Sequence, residues 1–179
     1  MTLSDAVALI DTSLLKSSPA AAALPPQTWA DLGCGSGLFS QALSQFLPAG
    51  STIYGIDLHP TLQPQAAPVH FIPRQLNFVT AGLGLENLDG ILMANSLHYV
   101  AHQPAFIRRI QSYLTSQHTL LIVEYDTDRP TPTWVPYPLS MNSLRSLLQN
   151  AGYTSVEKIG QRPSAFGRSY LYSALARRL

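Results

Sequence analysis

Apolar residues fall along this chain in two rhythms. The first recurs at helical spacing. LFSQALSQFL (38–47) puts Leu38, Phe39, Ala42, Leu43, Phe46 and Leu47 on one stripe, and Pro48 and Gly50 end it. QPAFIRRIQSYL (103–114) does the same with Phe106, Ile107, Ile110, Tyr113 and Leu114. Residues 4–15 predict a short amphipathic helix carrying Val7, Leu9, Ile10, Leu14 and Leu15. SMNSLRSLLQNAG (140–152) predicts another, with Ser140 as N-cap and Gly152 as its stop.

The second rhythm is a short continuous run. GILMAN (90–95) and TLLIVEYD (119–126) are apolar enough to be parallel strands buried on both faces. TWADL (28–32), STIYGIDL (51–58) and VHFI (69–72) predict three more strands. TSVEKIG and SYLYSALA predict a closing pair. Prolines break the segments 17–26 and 59–70, which read as linker and irregular chain. Strands alternating with helices imply an open, mostly parallel α/β sheet. The expected organisation is one domain: a helix and linker over 1–27, then a core over 28–179, with no internal repeat. In such sheets the ligand lies beyond the carboxyl ends of the strands, where the strand order reverses.

Composition narrows the function. With 46% hydrophobic and 12% charged residues, the 179-residue chain is a folding domain and not a disordered one. A net charge of +1 gives no field toward nucleic acid or an anionic membrane, and Arg108-Arg109 and Arg177-Arg178 read as solvated helix or tail positions. The single cysteine excludes an internal disulfide and a thiolate zinc cluster. The N-terminus, with Asp5 and Asp11, is no secretory signal, and no apolar run reaches membrane-spanning length. A cytoplasmic protein without nucleic-acid or membrane partners is expected.

The chemistry begins at DLGCGSG (31–37). A glycine-rich turn after a first strand lets a ligand approach the backbone closely. Dinucleotide sites use G-x-G-x-x-G. Here Gly33, Gly35 and Gly37 alternate, and Leu38 stands where that pattern wants its third glycine. The second strand ends in Asp57, twenty residues after Gly37, in a chain with only ten acids. An acid there suits the hydroxyls of a ribose.

The D-x-G-x-G-x-G form resembles the first motif of the class I S-adenosylmethionine-dependent methyltransferases. The resemblance covers residues 28–179 and is nearest to the small-molecule branch (type 11/12-like). It implies a three-layer α-β-α fold with a seven-stranded sheet of order 3-2-1-4-5-7-6, strand seven antiparallel. It implies S-adenosylmethionine as cofactor and S-adenosylhomocysteine as product. Gly33, Cys34, Gly35 and Gly37 would pack on the methionyl part, and Asp31 would hold its cationic amino end. Asp57 would take the ribose, and Leu58 the adenine face. The family often has an acid after strand three for the adenine amino group. FIPRQLNF has none, so Gln75 is expected there, with Asn77 the alternative, since an amide oxygen also accepts.

The acceptor side starts at ANSLHYV (94–100). Asn95 is counted with the cofactor site. It is not followed by two prolines, which argues against the [N/D/S]-P-P-[F/Y/W] amino and amide methylators. His98 is a candidate base, because an imidazole titrates near neutral pH; packing under the cofactor or bonding a backbone carbonyl is the other possibility. Tyr99 is the second catalytic candidate beside His98, and otherwise wall or core. The proline-stiffened segment 123–140 offers Tyr125, Trp134 and Tyr137 as substrate walls, or as aromatics folded down on the sheet edge. Glu124 and Asp126 either orient a substrate or end the strand. Arg129, Arg162 and Arg168 are possible carboxylate partners. The expected activity is in-line methyl transfer to a small-molecule acceptor. The alternatives are a cofactor-binding regulatory module, a methyltransferase acting on protein or RNA, and, disfavoured by the early glycine, a nicotinamide oxidoreductase.

Overall fold

The computed structural model describes residues 1–11, 25–164 and 170–178. Its helices are α1 (Leu3–Leu9), α2 (Leu38–Ser44), α3 (Gln103–Gln111) and α4 (Met141–Asn150). Its strands are β1 (Thr28–Leu32), β2 (Thr52–Asp57), β3 (His70–Gln75), β4 (Leu88–Ala94), β5 (Leu114–Tyr125), β6 (Ser155–Pro163) and β7 (Tyr170–Arg178). They form one sheet of order β3-β2-β1-β4-β5-β7-β6. Pairing is parallel from β3 to β5, and β7 runs antiparallel to both β5 and β6. This is the order the motif resemblance implied.

The strands are apolar on both faces because both faces are covered. Alternate residues of each central strand enter opposite cores. Ala30, Ile91, Met93, Leu120 and Ile122 pack with Phe106, Ile107 and Ile110 of α3 and Leu144 and Leu148 of α4. Trp29, Leu92, Leu121 and Val123 pack on the other side with Ala6 and Leu9 of α1 and Phe39, Ala42 and Leu43 of α2. The period of two is hidden in runs such as GILMAN because neither face is solvent.

Several boundaries differ from the sequence expectation. The first helix ends at Leu9, with Ile10 at its cap, and residues 12–15 lie outside those described, as does most of the linker. Helix α2 stops at Ser44, leaving Phe46 and Leu47 in the following turn, partly buried against the same core. The third strand runs on to Gln75 through Pro73, which an edge strand tolerates because proline lacks only a donor. Leu114, expected at the end of a helix, instead opens β5 by pairing with Leu88, and the register shifts before Gly90 meets Thr119. Arg109 is not solvated. Its Nη2 donates to the Phe78 carbonyl at 2.5 Å and its guanidinium lies over the Phe106 ring. Arg177 and Arg178 belong to β7 and not to a tail.

Two ties fix the periphery. Ser140 caps α4 by accepting from the Ser143 N–H at 3.2 Å, as expected. Asp126 and Asp128, at the end of β5, also hold that helix start: Asp126 Oδ1 accepts from the Met141 N–H and Asp128 Oδ1 from the Ser140 N–H, both at 2.9 Å. On the other face, Arg162 pairs with Asp5 at 3.1 Å, joining β6 to α1. No helix among the described residues is long and apolar enough to cross a membrane.

Candidate functional site

The carboxyl ends of β1, β2, β4 and β5 lie along one edge of the sheet, because these strands are parallel. The order turns back between β1 and β4, and DLGCGSG follows β1 there.

The glycine turn is built from β2 and β4 as much as from its own residues. The Gly33 N–H donates to the Ile56 carbonyl at 2.7 Å, and Cys34 N–H to the same oxygen at 3.2 Å. Asp57 Oδ2 accepts from the Gly35 N–H at 3.0 Å, and Oδ1 accepts from the His59 N–H at 3.0 Å. Ser96, just after β4, donates to the Leu32 carbonyl at 2.5 Å. The close approach of Ser96 is why position 33 must lack a side chain: a Cβ there would stand 2.5 Å from Ser96 Cβ, and Gly33 has φ +86°. Gly35 is the opposite case. A Cβ there would meet nothing within 4 Å, so the turn presents open space at its centre.

Asp31 is almost completely buried. Ser40, in the first turn of α2, donates to its Oδ2 at 2.6 Å, while Oδ1 has no hydrogen-bond partner among the described residues. Burial raises its carboxyl from 3.8 to about 7, against the Ser40 hydrogen bond and with a smaller push from Asp57. A second buried acceptor, Asn95 Oδ1, also has no hydrogen-bond partner among the described residues, and Asn95 is held at φ +54°. Two such acceptors flanking an open glycine turn are costly unless a donor arrives.

These residues fit S-adenosylmethionine. Asp31 and Asn95 lack the donors that its ammonium end can supply. Asp57 spends one lone pair of each oxygen on backbone, leaving the others for ribose hydroxyls. Leu58 is 53% exposed beside it, an apolar surface for a flat base. Gln75 ends β3 opposite Asp57 and is exposed. Asn77 is less suited, since its Oδ1 already accepts from the Val79 N–H at 3.0 Å. Cys34 lines the turn with a buried thiol pushed up to about 12, first by burial and then by Asp31 and Asp57. It is inert as a nucleophile.

On the β4 side, Leu97–Tyr99 form a single 3-10 turn. His98 lies inside it at 2% exposure, while Tyr99 is half exposed. The partner of His98 is a carboxylate and not a backbone carbonyl. Its Nδ1 lies 2.6 Å from Glu124 Oε2, and its N–H donates to Glu124 Oε1 at 3.1 Å. Glu124 is fully buried near the end of β5, so it neither meets solvent nor merely ends the strand. The His98 ring packs beside Tyr99 and Tyr125, at 4.3 and 6.1 Å between centroids.

The 127–140 segment is hydrogen-bonded to this turn. Val135 and Leu139 are its buried anchors, and Tyr172 donates to the Leu139 carbonyl at 2.9 Å. The Tyr137 N–H donates to the His98 carbonyl at 3.0 Å, and Gln103 Nε2 to the Tyr137 carbonyl at 2.8 Å. Trp134 and Tyr137 remain exposed and are not folded under the segment. Arg129 is exposed, and Arg162 is engaged by Asp5. Arg168 lies outside the described residues. No group of three or more His, Cys, Asp or Glu side chains among those described is placed to hold a metal.

Sequence reasoning missed three partners: Ser40 for Asp31, Ser96 for the turn, and Glu124 for His98. The last was accessible in principle, since adjacent β4 and β5 bring 98 and 124 to one edge.

A family model described as a methyltransferase domain matches residues 8–178. No curated protein matches the chain. Among solved structures, the 1,6-didemethyltoxoflavin N1-methyltransferase of Burkholderia thailandensis, with bound 1,6-didemethyltoxoflavin and S-adenosylhomocysteine, aligns at TM-score 0.66 and 22% identity over 98% of this chain and 77% of its own. A SAM-dependent methyltransferase of Leishmania major aligns at 0.67 and 17% over 95% and 72%. One from Aquifex aeolicus aligns at 0.58 and 18% over the whole of both chains.

Proposed function

This chain belongs to the methyltransferase-domain family, whose fold and S-adenosylmethionine cofactor it shares, and we propose that it methylates a small, planar acceptor by direct in-line transfer. The cofactor supplies an activated methyl group on a sulfonium. The protein's task is to hold two reactants in line and keep water out, which is where most of the rate gain lies.

The observation that carries this reading is the stitched aromatic rim. Tyr99 on the 3-10 turn and Trp134 and Tyr137 on the 127–140 segment stay exposed at the edge that carries the glycine turn. The Tyr137 N–H to His98 carbonyl bond ties the two pieces together. Exposed aromatic side chains suit a flat molecule. The structural neighbour from Burkholderia thailandensis is a 1,6-didemethyltoxoflavin N1-methyltransferase, which supports a small-molecule acceptor. We assign Asp31, Gly33, Cys34, Gly35, Gly37, Asp57, Leu58, Gln75 and Asn95 to the cofactor, and Tyr99, Tyr125, Trp134 and Tyr137 to the acceptor side.

The test is incubation with methyl-labelled S-adenosylmethionine and a panel of small planar hydroxyl and amino compounds, alongside an unstructured peptide and an RNA oligomer. Transfer to the planar compounds alone is the expected result. Label found only in peptide or RNA overturns it.

A further inference from the structure

A buried carboxyl group stays ionised only if donors or a cation compensate its charge. Asp31 has one donor. Ser40 Oγ reaches its Oδ2 at 2.6 Å, and Oδ1 has no hydrogen-bond partner among the described residues. None of the ion pairs there includes it. The groups packed around it bring no positive charge. Asp57, at the end of β2, is a second carboxyl and opposes ionisation. The Cys34 thiol, within the turn, is pushed up to about 12 and stays protonated. Ser40, from α2, is neutral. Asn95, after β4, brings another buried acceptor without a partner to the same edge. Burial outweighs the Ser40 bond, and the carboxyl titrates at about 7.

We propose that Asp31 carries a proton in the free protein and gives it up when the cofactor's ammonium arrives, so that binding releases one proton, and that Ser40 is the positioning residue that sets the pH at which this happens. This rests on the cofactor assignment above and adds a pH control to that site.

The exchange balances. In the free protein the proton keeps the buried carboxyl neutral. The ammonium brings a positive charge and N–H donors. One N–H takes the orphaned oxygen, the carboxyl O–H bond breaks, and its proton passes to the buffer. The buried pair that results is neutral overall. Ser40 acts through Asp31. Its hydroxyl bonds more strongly to a carboxylate than to a neutral acid, so it draws the release toward lower pH. Affinity for the cofactor then falls about tenfold for each pH unit below about 7. A ligand with the adenosine but without the ammonium, such as 5′-methylthioadenosine, escapes this control. Acid therefore unloads the methyl donor while nucleoside binding persists.

The test is calorimetry of S-adenosylhomocysteine binding in buffers of different ionisation enthalpy, which counts protons and requires no turnover. The parent is expected to release close to one proton at about pH 6 and few at about pH 8. Its affinity should be about 50-fold or more weaker at pH 5 than at pH 7.5. 5′-Methylthioadenosine should release none at either pH. Asp31→Asn should release none with either ligand. Ser40→Ala should still release the proton, with the midpoint of its pH profile moved upward. A serine that only supports the fold would weaken binding equally at every pH, and an unmoved midpoint overturns its role. Binding without buffer dependence at pH 6, or equal release by 5′-methylthioadenosine or by Asp31→Asn, overturns the proposal and leaves the cofactor site standing. No binding of S-adenosylhomocysteine by the parent at any pH overturns the cofactor assignment, and the proposal with it.

Discussion

Asp57 Oδ2 accepts the Gly35 N–H at 3.0 Å, so the acid at the end of β2 shapes the glycine turn after β1 before any ligand is bound. Its other oxygen holds the His59 N–H. Asp57→Asn must turn an NH2 toward one of these two donors. The expected outcome is a stability loss of about 1–2 kcal/mol in urea unfolding, together with at least a tenfold loss of S-adenosylhomocysteine affinity by calorimetry.

Two glycines of one turn separate folding from binding. Gly33→Ala brings a Cβ to 2.5 Å from Ser96 Cβ at φ +86°. Its expected cost is about 3 kcal/mol, the sum of a left-handed backbone and an overpacked contact. Gly35→Ala has φ +51° but meets no neighbour, so it costs only about 1 kcal/mol. It puts its methyl group into the open centre of the turn, where the cofactor is proposed to lie. Denaturant unfolding therefore distinguishes Gly33→Ala strongly from the parent, and ligand titration distinguishes Gly35→Ala.

Asp31 gives the protein a pH signature. Its carboxyl titrates at about 7 when folded against 3.8 for an ordinary aspartate, so between those values the folded state binds the extra proton. Stability from this group is therefore lost as pH rises from about 4 toward about 7, and the full cost of the buried charge stands above that. Asp31→Asn removes it. Thermal unfolding should show the two proteins alike near about pH 4 and Asp31→Asn increasingly more stable as pH rises toward 8. If the ammonium of S-adenosylhomocysteine pairs with the ionised carboxyl as proposed, the ligand should raise the parent's melting temperature more near pH 8 than near pH 5. It should do so much less for the variant.

The acceptor loop divides in the same way. Leu139 is buried beneath it and Tyr137 is exposed on it. Leu139→Ala should cost about 2–4 kcal/mol by leaving a cavity. Tyr137→Ala should stay within about 0.5 kcal/mol and instead raise KM for a planar acceptor. Equal stability losses in the two variants would remove Tyr137 from the rim.

Much of this was legible in the sequence because it is local. The spacing of Gly33, Gly35 and Gly37 and the acid at 57 follow from strand and turn, and their strand ends fell where the apolar runs stop. GILMAN and TLLIVEYD were readable as strands because both of their faces are buried. The misread pieces depend on contacts distant in sequence. β3 passes through Pro73 only because it is an edge strand, and Leu114 is strand because Leu88 pairs with it. Arg109 looked solvated until α3 was set against the Phe78 turn. Glu124 was ambiguous in one dimension and gained its meaning only when β5 lay beside β4.

The most direct measurement is a calorimetric titration of the parent and of Gly35→Ala with S-adenosylmethionine and S-adenosylhomocysteine, with NADH and NADPH as controls. The parent is expected to bind both sulfur compounds and neither nicotinamide, and Gly35→Ala to stay folded and lose them. Undiminished binding by Gly35→Ala, or a preference of the parent for a nicotinamide, would contradict this expectation.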